Sequence, residues 1–151
     1  MKAPIRIPLI LAAVVIVARL ALEGAGAAGM VTTIVGVTWL HFLVPIYLGA
    51  RIAGAGSPSP FKDLFKPIFF FTLYTRLMVM VTYMLAYPLG WTATRFSVEG
   101  GGGVGAGSAV EGMLIIPVRN FLVTVVVAPI IGMILGSITV YIKRKMAPQP
   151  A

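Results

Sequence analysis

The chain has 151 residues, is 59% hydrophobic with a mean hydropathy of +1.00, and carries a formal net charge of +8. Four long apolar stretches, 7–27, 31–50, 67–90 and 113–142, hold most of that hydrophobicity. Each reaches the ~20 residues that an α-helix needs to cross ~30 Å of hydrocarbon, so the composition excludes a soluble domain. The absence of cysteine excludes disulfides, thiol redox chemistry, c-type haem attachment and cysteine-ligated metal centres.

The first stretch begins after Lys2 and Arg6 and ends near Ala25-Gly26-Ala27. That layout also suits a secretory signal peptide; the expectation is a retained first transmembrane helix. Arg19 and Glu23 stand four residues apart within it, on one helical face, where they can pair. A short Gly/Ala turn, 24–29, leads to the second stretch.

The second stretch contains the chain's only histidine, His41, within Thr38-Trp39-Leu40-His41-Phe42-Leu43-Val44-Pro45. Pro45 cannot donate to the His41 carbonyl, which predicts a kink at the histidine. His41, Pro45, Gly49 and Ala53 form an i,i+4 ridge of mostly small residues.

The connection 51–66 opens with a Gly/Ser/Pro linker. It continues as Phe61-Lys62-Asp63-Leu64-Phe65-Lys66, which reads as a short interfacial segment closed by Pro67, with Phe61, Leu64 and Phe65 on the membrane side. An ordinary helix start with snorkelling lysines is the alternative. In the third stretch Thr72, Arg76, Met80, Tyr83 and Tyr87 recur at helical spacing, a polar-aromatic face expected to look at protein rather than lipid.

The outer loop 91–112 begins with Trp91, an interface anchor by type. It then runs into the glycine tract 100–107, expected to be coil that is flexible or ordered by a partner. A nucleotide-binding loop needs a preceding strand and a following helix in a different context. The fourth stretch carries Arg119, and Asn120, Thr124, Ala128, Gly132 and Gly136 form a second small-residue ridge ending in a GxxxG pair. Such ridges, with Gly49 on the facing helix, predict close helix–helix contact. Pro129 predicts a bend.

These elements define an all-α integral membrane fold, a single four-helix transmembrane domain spanning 1–151. Lys2, Arg6, Arg51, Lys62, Lys66, Lys143, Arg144 and Lys145 fall at one end of a four-span arrangement, with Arg95, Glu99 and Glu111 at the other. By the positive-inside rule both termini are cytoplasmic, in a bacterial inner membrane. The basic end is expected to attract anionic lipids, and no compact basic domain exists to bind nucleic acid.

Polar groups inside a span are costly unless paired or hydrated, which makes them pointers to function. Arg19, His41 and Arg119 fall within about 10–15 Å of the outer surface and Arg76 nearer the midplane, at ~1.5 Å per residue. The expected outer cluster is Arg19, Glu23, Arg119 and Asn120, with His41 beside it. Its excess of arginine calls for an anion, a lipid phosphate or a partner carboxylate. No metal site and no catalytic set emerge from these residues. The leading functional expectation is a non-catalytic accessory or structural subunit of a larger inner-membrane complex, with bioenergetic complexes among the candidates and other integral membrane subunits as partners. A small oligomeric transporter or channel for an anionic solute, using Arg19, Arg76 and Arg119, is the second reading. The third is a subunit binding a pigment, haem or quinone through His41, with Trp39, Phe42, Tyr83 and Tyr87 lining the site.

Overall fold

The computed structural model describes residues 5–27 and 29–146; Lys2 and Ala28 lie outside them. Every regular element among those residues is helical. They run α1 Arg6–Gly24, α2 Gly29–Ile34, a 3₁₀ turn Val37–Trp39, α3 Leu40–Gly54, α4 Pro60–Leu89, a 3₁₀ turn Thr94–Phe96, a π turn Glu111–Ile115 and α5 Ile116–Met146. Four segments, Arg6–Gly24, Gly29–Gly54, Pro60–Leu89 and Glu111–Met146, are long and apolar enough to cross a bilayer. Helices suit that solvent because every backbone amide is satisfied within the segment.

α5 packs along both α3 and α4, and α1 lies against α4. The core joins Ala12 and Ile16 of α1, Val44, Leu48 and Ile52 of α3, Leu64, Ile68 and Phe71 of α4, and Val140 of α5. Glycines set the closest crossing. A Cβ on Gly49 would lie 2.5 Å from the Gly136 carbonyl oxygen, and one on Gly136 would lie 2.7 Å from Leu64 Cδ2. The small-residue ridges of α3 and α5 therefore face each other within one chain. Ala128 lies on the same ridge but lines a cleft rather than the tight contact.

Two boundaries differ from the sequence reading. The segment 60–66 is not a separate interfacial turn but the first turns of α4, which continues through Pro67. Leu64, Ile68, Phe71 and Thr75 are fully buried at helical spacing, so one packed face runs straight across the proline and outweighs its missing amide. Leu64 consequently points inward while Phe61 and Phe65 are exposed, which splits the expected trio. Pro60 occupies the first turn, where its absent N–H costs nothing, and Asp63 sits at the favourable end of the helix dipole. The second span is also broken ahead of His41, at 35–36, and Pro45 stands inside α3. A Cβ on Gly36 would lie 2.9 Å from the Thr33 carbonyl and 3.3 Å from Arg19 Nη1, so the break leaves room for that guanidinium.

The loop after α4 is a cap, a run of short turns folded back on itself and a compact form of the coil expected from its glycines. Gly90, at φ 62°, ends α4, and the Trp91 amide donates to the Ala86 carbonyl at 3.1 Å. The chain then turns back on itself: Val104 N–H donates to Phe96 O at 2.8 Å and Gly102 N–H to Ser97 O at 2.9 Å. Phe96, 1% exposed, anchors the cap between Tyr83 and Trp91, with ring centroids at 5.4 and 5.3 Å. The glycines are there for contact: a Cβ on Gly103 would meet the Gly112 carbonyl at 1.7 Å.

Candidate functional site

The expected outer cluster resolves into separate arrangements. Arg19 Nε donates to Glu23 Oε1 at 2.9 Å, as the i,i+4 spacing implies. The second cation on that carboxylate is Arg95 of the cap, which donates to Oε2 from Nε at 3.0 Å and Nη2 at 2.8 Å. Its guanidinium also lies 4.2 Å from the centroid of the Phe96 ring. Arg119 is exposed and joins none of this. Asn120 turns to the cap, donating from Nδ2 to Gly101 O at 3.1 Å. Glu23 is thus satisfied on both oxygens, and this end of α1 is a structural clamp. Arg95 escaped the sequence reading because a loop arginine has no periodicity; the signal was an arginine beside aromatic residues facing the end of the helix that carries Glu23.

A different pair of side chains remains unsatisfied. His41 is 6% exposed, and its Nε2 is buried with no hydrogen-bond partner among the described residues; Arg76 Nε is in the same condition. Both line one cleft of about 140 Å³ between α3, α4 and α5, walled also by Phe42, Thr124, Val127 and Ala128. Arg76 borders a second, water-sized space of about 30 Å³ with Tyr83, Asn120 and Thr124. Tyr83 thus belongs to the smaller space and the cap, while Trp39, 56% exposed, packs against Phe42 outside the cleft. Of the residues expected to share a site, the fold brings together His41, Phe42 and Arg76.

Local structure fixes the histidine. Its Nδ1 donates to the Val37 carbonyl at 3.1 Å, in the 3₁₀ turn that follows the helix break, and its ring leans on Phe71 with centroids 5.5 Å apart. A carbonyl only accepts, so Nδ1 carries the proton, and in the neutral ring Nε2 offers a lone pair. Arg76 only donates. One acceptor and one cationic donor therefore lie buried behind the wall of the cleft, in largely apolar surroundings. Buried polar atoms are almost always paired in folded proteins, and an orphaned one invites a functional explanation.

The basic end is formed by Arg6, Arg51, Lys62, Lys66, Lys143, Arg144 and Lys145, at the termini of the spans. Arg144 donates to the Ser57 carbonyl, and Ser57 Oγ donates to Asp63 Oδ2 at 2.5 Å. Among the described residues no group of three histidine, aspartate or glutamate side chains is placed to hold a metal ion. Comparison with protein-family models, with curated proteins and with solved structures finds no match to this chain.

Proposed function

We propose that this chain is a non-catalytic subunit of a membrane complex whose part is to hold a ligand inside the bilayer, in the cleft between α3, α4 and α5. The observation that carries the reading is that His41 and Arg76 line one cleft between the helices while each keeps a buried nitrogen, His41 Nε2 and Arg76 Nε, without a partner among the described residues. An unpaired polar atom in such surroundings costs about 1–3 kcal/mol, which a bound molecule or a neighbouring subunit would recover. The rim residues Phe42, Val127 and Ile131 are exposed, so the cleft opens sideways, where another integral membrane protein can seat and reach the ligand. Both termini and the basic end are assigned to the cytoplasmic side by the positive-inside rule, next to anionic lipids.

Transport of an anion along Arg19, Arg76 and Arg119 has less support, because Arg19 is held on Glu23, Arg119 is exposed, and only Arg76 borders the cleft. A haem or chlorophyll-type pigment has less support, since the cleft of about 140 Å³ would leave most of a tetrapyrrole outside this chain.

Purification in mild detergent, with particle mass, co-purifying chains and solvent-extractable small molecules measured together, tests the proposal. The expected result is partner chains in fixed ratio and a bound molecule that is lost in both His41→Ala and Arg76→Gln. A lone homogeneous chain carrying only bulk lipid overturns it.

A further inference from the structure

We infer that Arg76 takes its counter-charge from outside this chain, from an aspartate or glutamate carried at mid-depth on a transmembrane helix of a partner subunit. That helix seats at the sideways opening of the cleft. This rests on the subunit reading above and names what the partner brings.

The chain has four acidic side chains, and none of them serves Arg76. Glu23, at the end of α1, is held by Arg19 and Arg95. Asp63 accepts from Ser57 Oγ in the first turn of α4, about 20 Å along the helix from Arg76. Glu99 is exposed in the cap. Glu111 opens the last span, about 20 Å along it from Thr124, which lines the same cleft as Arg76. A second copy of this chain carries its acids at the same span ends, in either orientation, and so supplies nothing at mid-depth.

The arginine has surface to offer. Its Nε is enclosed, but the two terminal nitrogens are not, and they form no hydrogen bond or ion pair among the described residues. Arg76 lines the cleft, whose rim residues Phe42, Val127 and Ile131 are exposed, so a side chain from a neighbouring helix has a way in.

Depth decides between the anions that could come. Arg76 lies about 20 Å along α4 from the Leu89 end and about 24 Å from the Pro60 end, at ~1.5 Å per residue. Lipid phosphates and fatty-acid carboxylates stay at the surface, too far for a snorkelling side chain to meet. Arg119 differs: it is exposed and only about 12 Å from the Glu111 end of its span, within reach of headgroups. A water in the smaller space beside Tyr83 and Asn120 would hydrate the Arg76 guanidinium without neutralising it. Ionisable side chains deep in a span typically pair with one another, and a carboxylate on a second helix is the anion that the bilayer lets in at this level.

The test is photocrosslinking of the full chain in its native membranes, with p-benzoylphenylalanine in place of Phe42 or, separately, of Ile131. Adducts are sequenced by mass spectrometry. The expected result is one transmembrane segment of another protein, with an aspartate or glutamate within about two helical turns of the attachment point. Acids are rare inside spans, so such a match is specific. Arg76→Gln should cut the adduct yield about tenfold, the scale of one charge-assisted hydrogen bond lost. Exchanging the charges, Arg76→Asp together with arginine in place of the partner's acid, should restore it. The identity of the wild-type adduct decides even where a variant fails to accumulate. An adduct with an acid-free segment of another protein overturns the inference and leaves the subunit reading standing. Adducts with lipid alone, with a second copy of this chain alone, or with nothing overturn both.

Discussion

Arg95 and Glu23 meet across 72 positions of sequence, Nε and Nη2 of the arginine both donating to one carboxylate oxygen at 3.0 and 2.8 Å. The other oxygen takes Arg19 at 2.9 Å, and the Glu23 side chain is 8% exposed. One carboxylate thereby ties the end of α1 to the cap over α4 and α5. Charge-assisted hydrogen bonds in such partly buried settings contribute about 1.5–3 kcal/mol. Arg95→Ala should destabilise the protein by about 2 kcal/mol, read as a lower melting temperature in detergent. The double variant with Glu23→Gln should cost clearly less than the sum of the two single changes. Strict additivity would mean that the clamp is not a unit.

The cap makes sharply different demands on neighbouring glycines. A methyl at Gly103 or Gly112 would collide with the Gly112 carbonyl at 1.7 Å or the Tyr87 ring at 2.3 Å. At Gly107 the nearest atom is a Glu111 carboxylate oxygen at 3.7 Å. Forcing atoms into packed space costs about 1–3 kcal/mol. Gly103→Ala and Gly112→Ala should open the loop to protease and to amide hydrogen exchange, and Gly107→Ala should leave both near wild type. Equal exchange in all three would mean the loop is open coil after all.

Helix crossing gives a graded series. The obstacle at Gly49 is the backbone of Gly136 at 2.5 Å, whereas at Gly132 it is the Cγ2 methyl of Ile68 at 2.9 Å and the Pro45 ring at 3.1 Å. Backbone in a packed helix pair cannot step aside, while a buried methyl can give by a few tenths of an ångström at a cost. Gly49→Ala should cost about 2–3 kcal/mol and Gly132→Ala about 1–2, compared by chemical denaturation in detergent. The reverse order would show that α3 and α5 do not cross at Gly49.

Local signals in the sequence reach as far as the helices and the Arg19–Glu23 pair, because both depend on residues a few positions apart. The ridge of Asn120, Thr124, Ala128, Gly132 and Gly136 pointed to close contact, but its partner, α3 and α4 of the same chain, depends on tertiary packing. The continuation of α4 through Pro67 was hidden for a related reason. A proline reads as a boundary locally, while the buried run Leu64, Ile68, Phe71 is visible only against α5. The cap and its arginine were the least legible, since glycine permits coil and compact turns alike. Arg76 could be suspected from its type and its helical face; that it shares a cleft with His41 depends on how α3 and α4 pack, which no local pattern encodes.

Arg76 sets stability against function in a way that one substitution separates. An arginine at the centre of a span costs about 2.5–3.5 kcal/mol on insertion scales, and its Nε finds no partner among the described residues. Replacing a poorly compensated buried charge with a well-packed apolar residue is often neutral or stabilising by about 1–4 kcal/mol. Arg76→Met keeps an unbranched apolar stem as far as the Nε position and drops the guanidinium, so it should raise the melting temperature of the ligand-free protein while removing ligand binding and partner assembly. The same substitution in a purely structural arginine would lower the melting temperature. A stabilised variant that has lost its ligand would mean the charge is kept for binding; a destabilised one would mean Arg76 holds the bundle together, and the cleft would lose its claim as the working site.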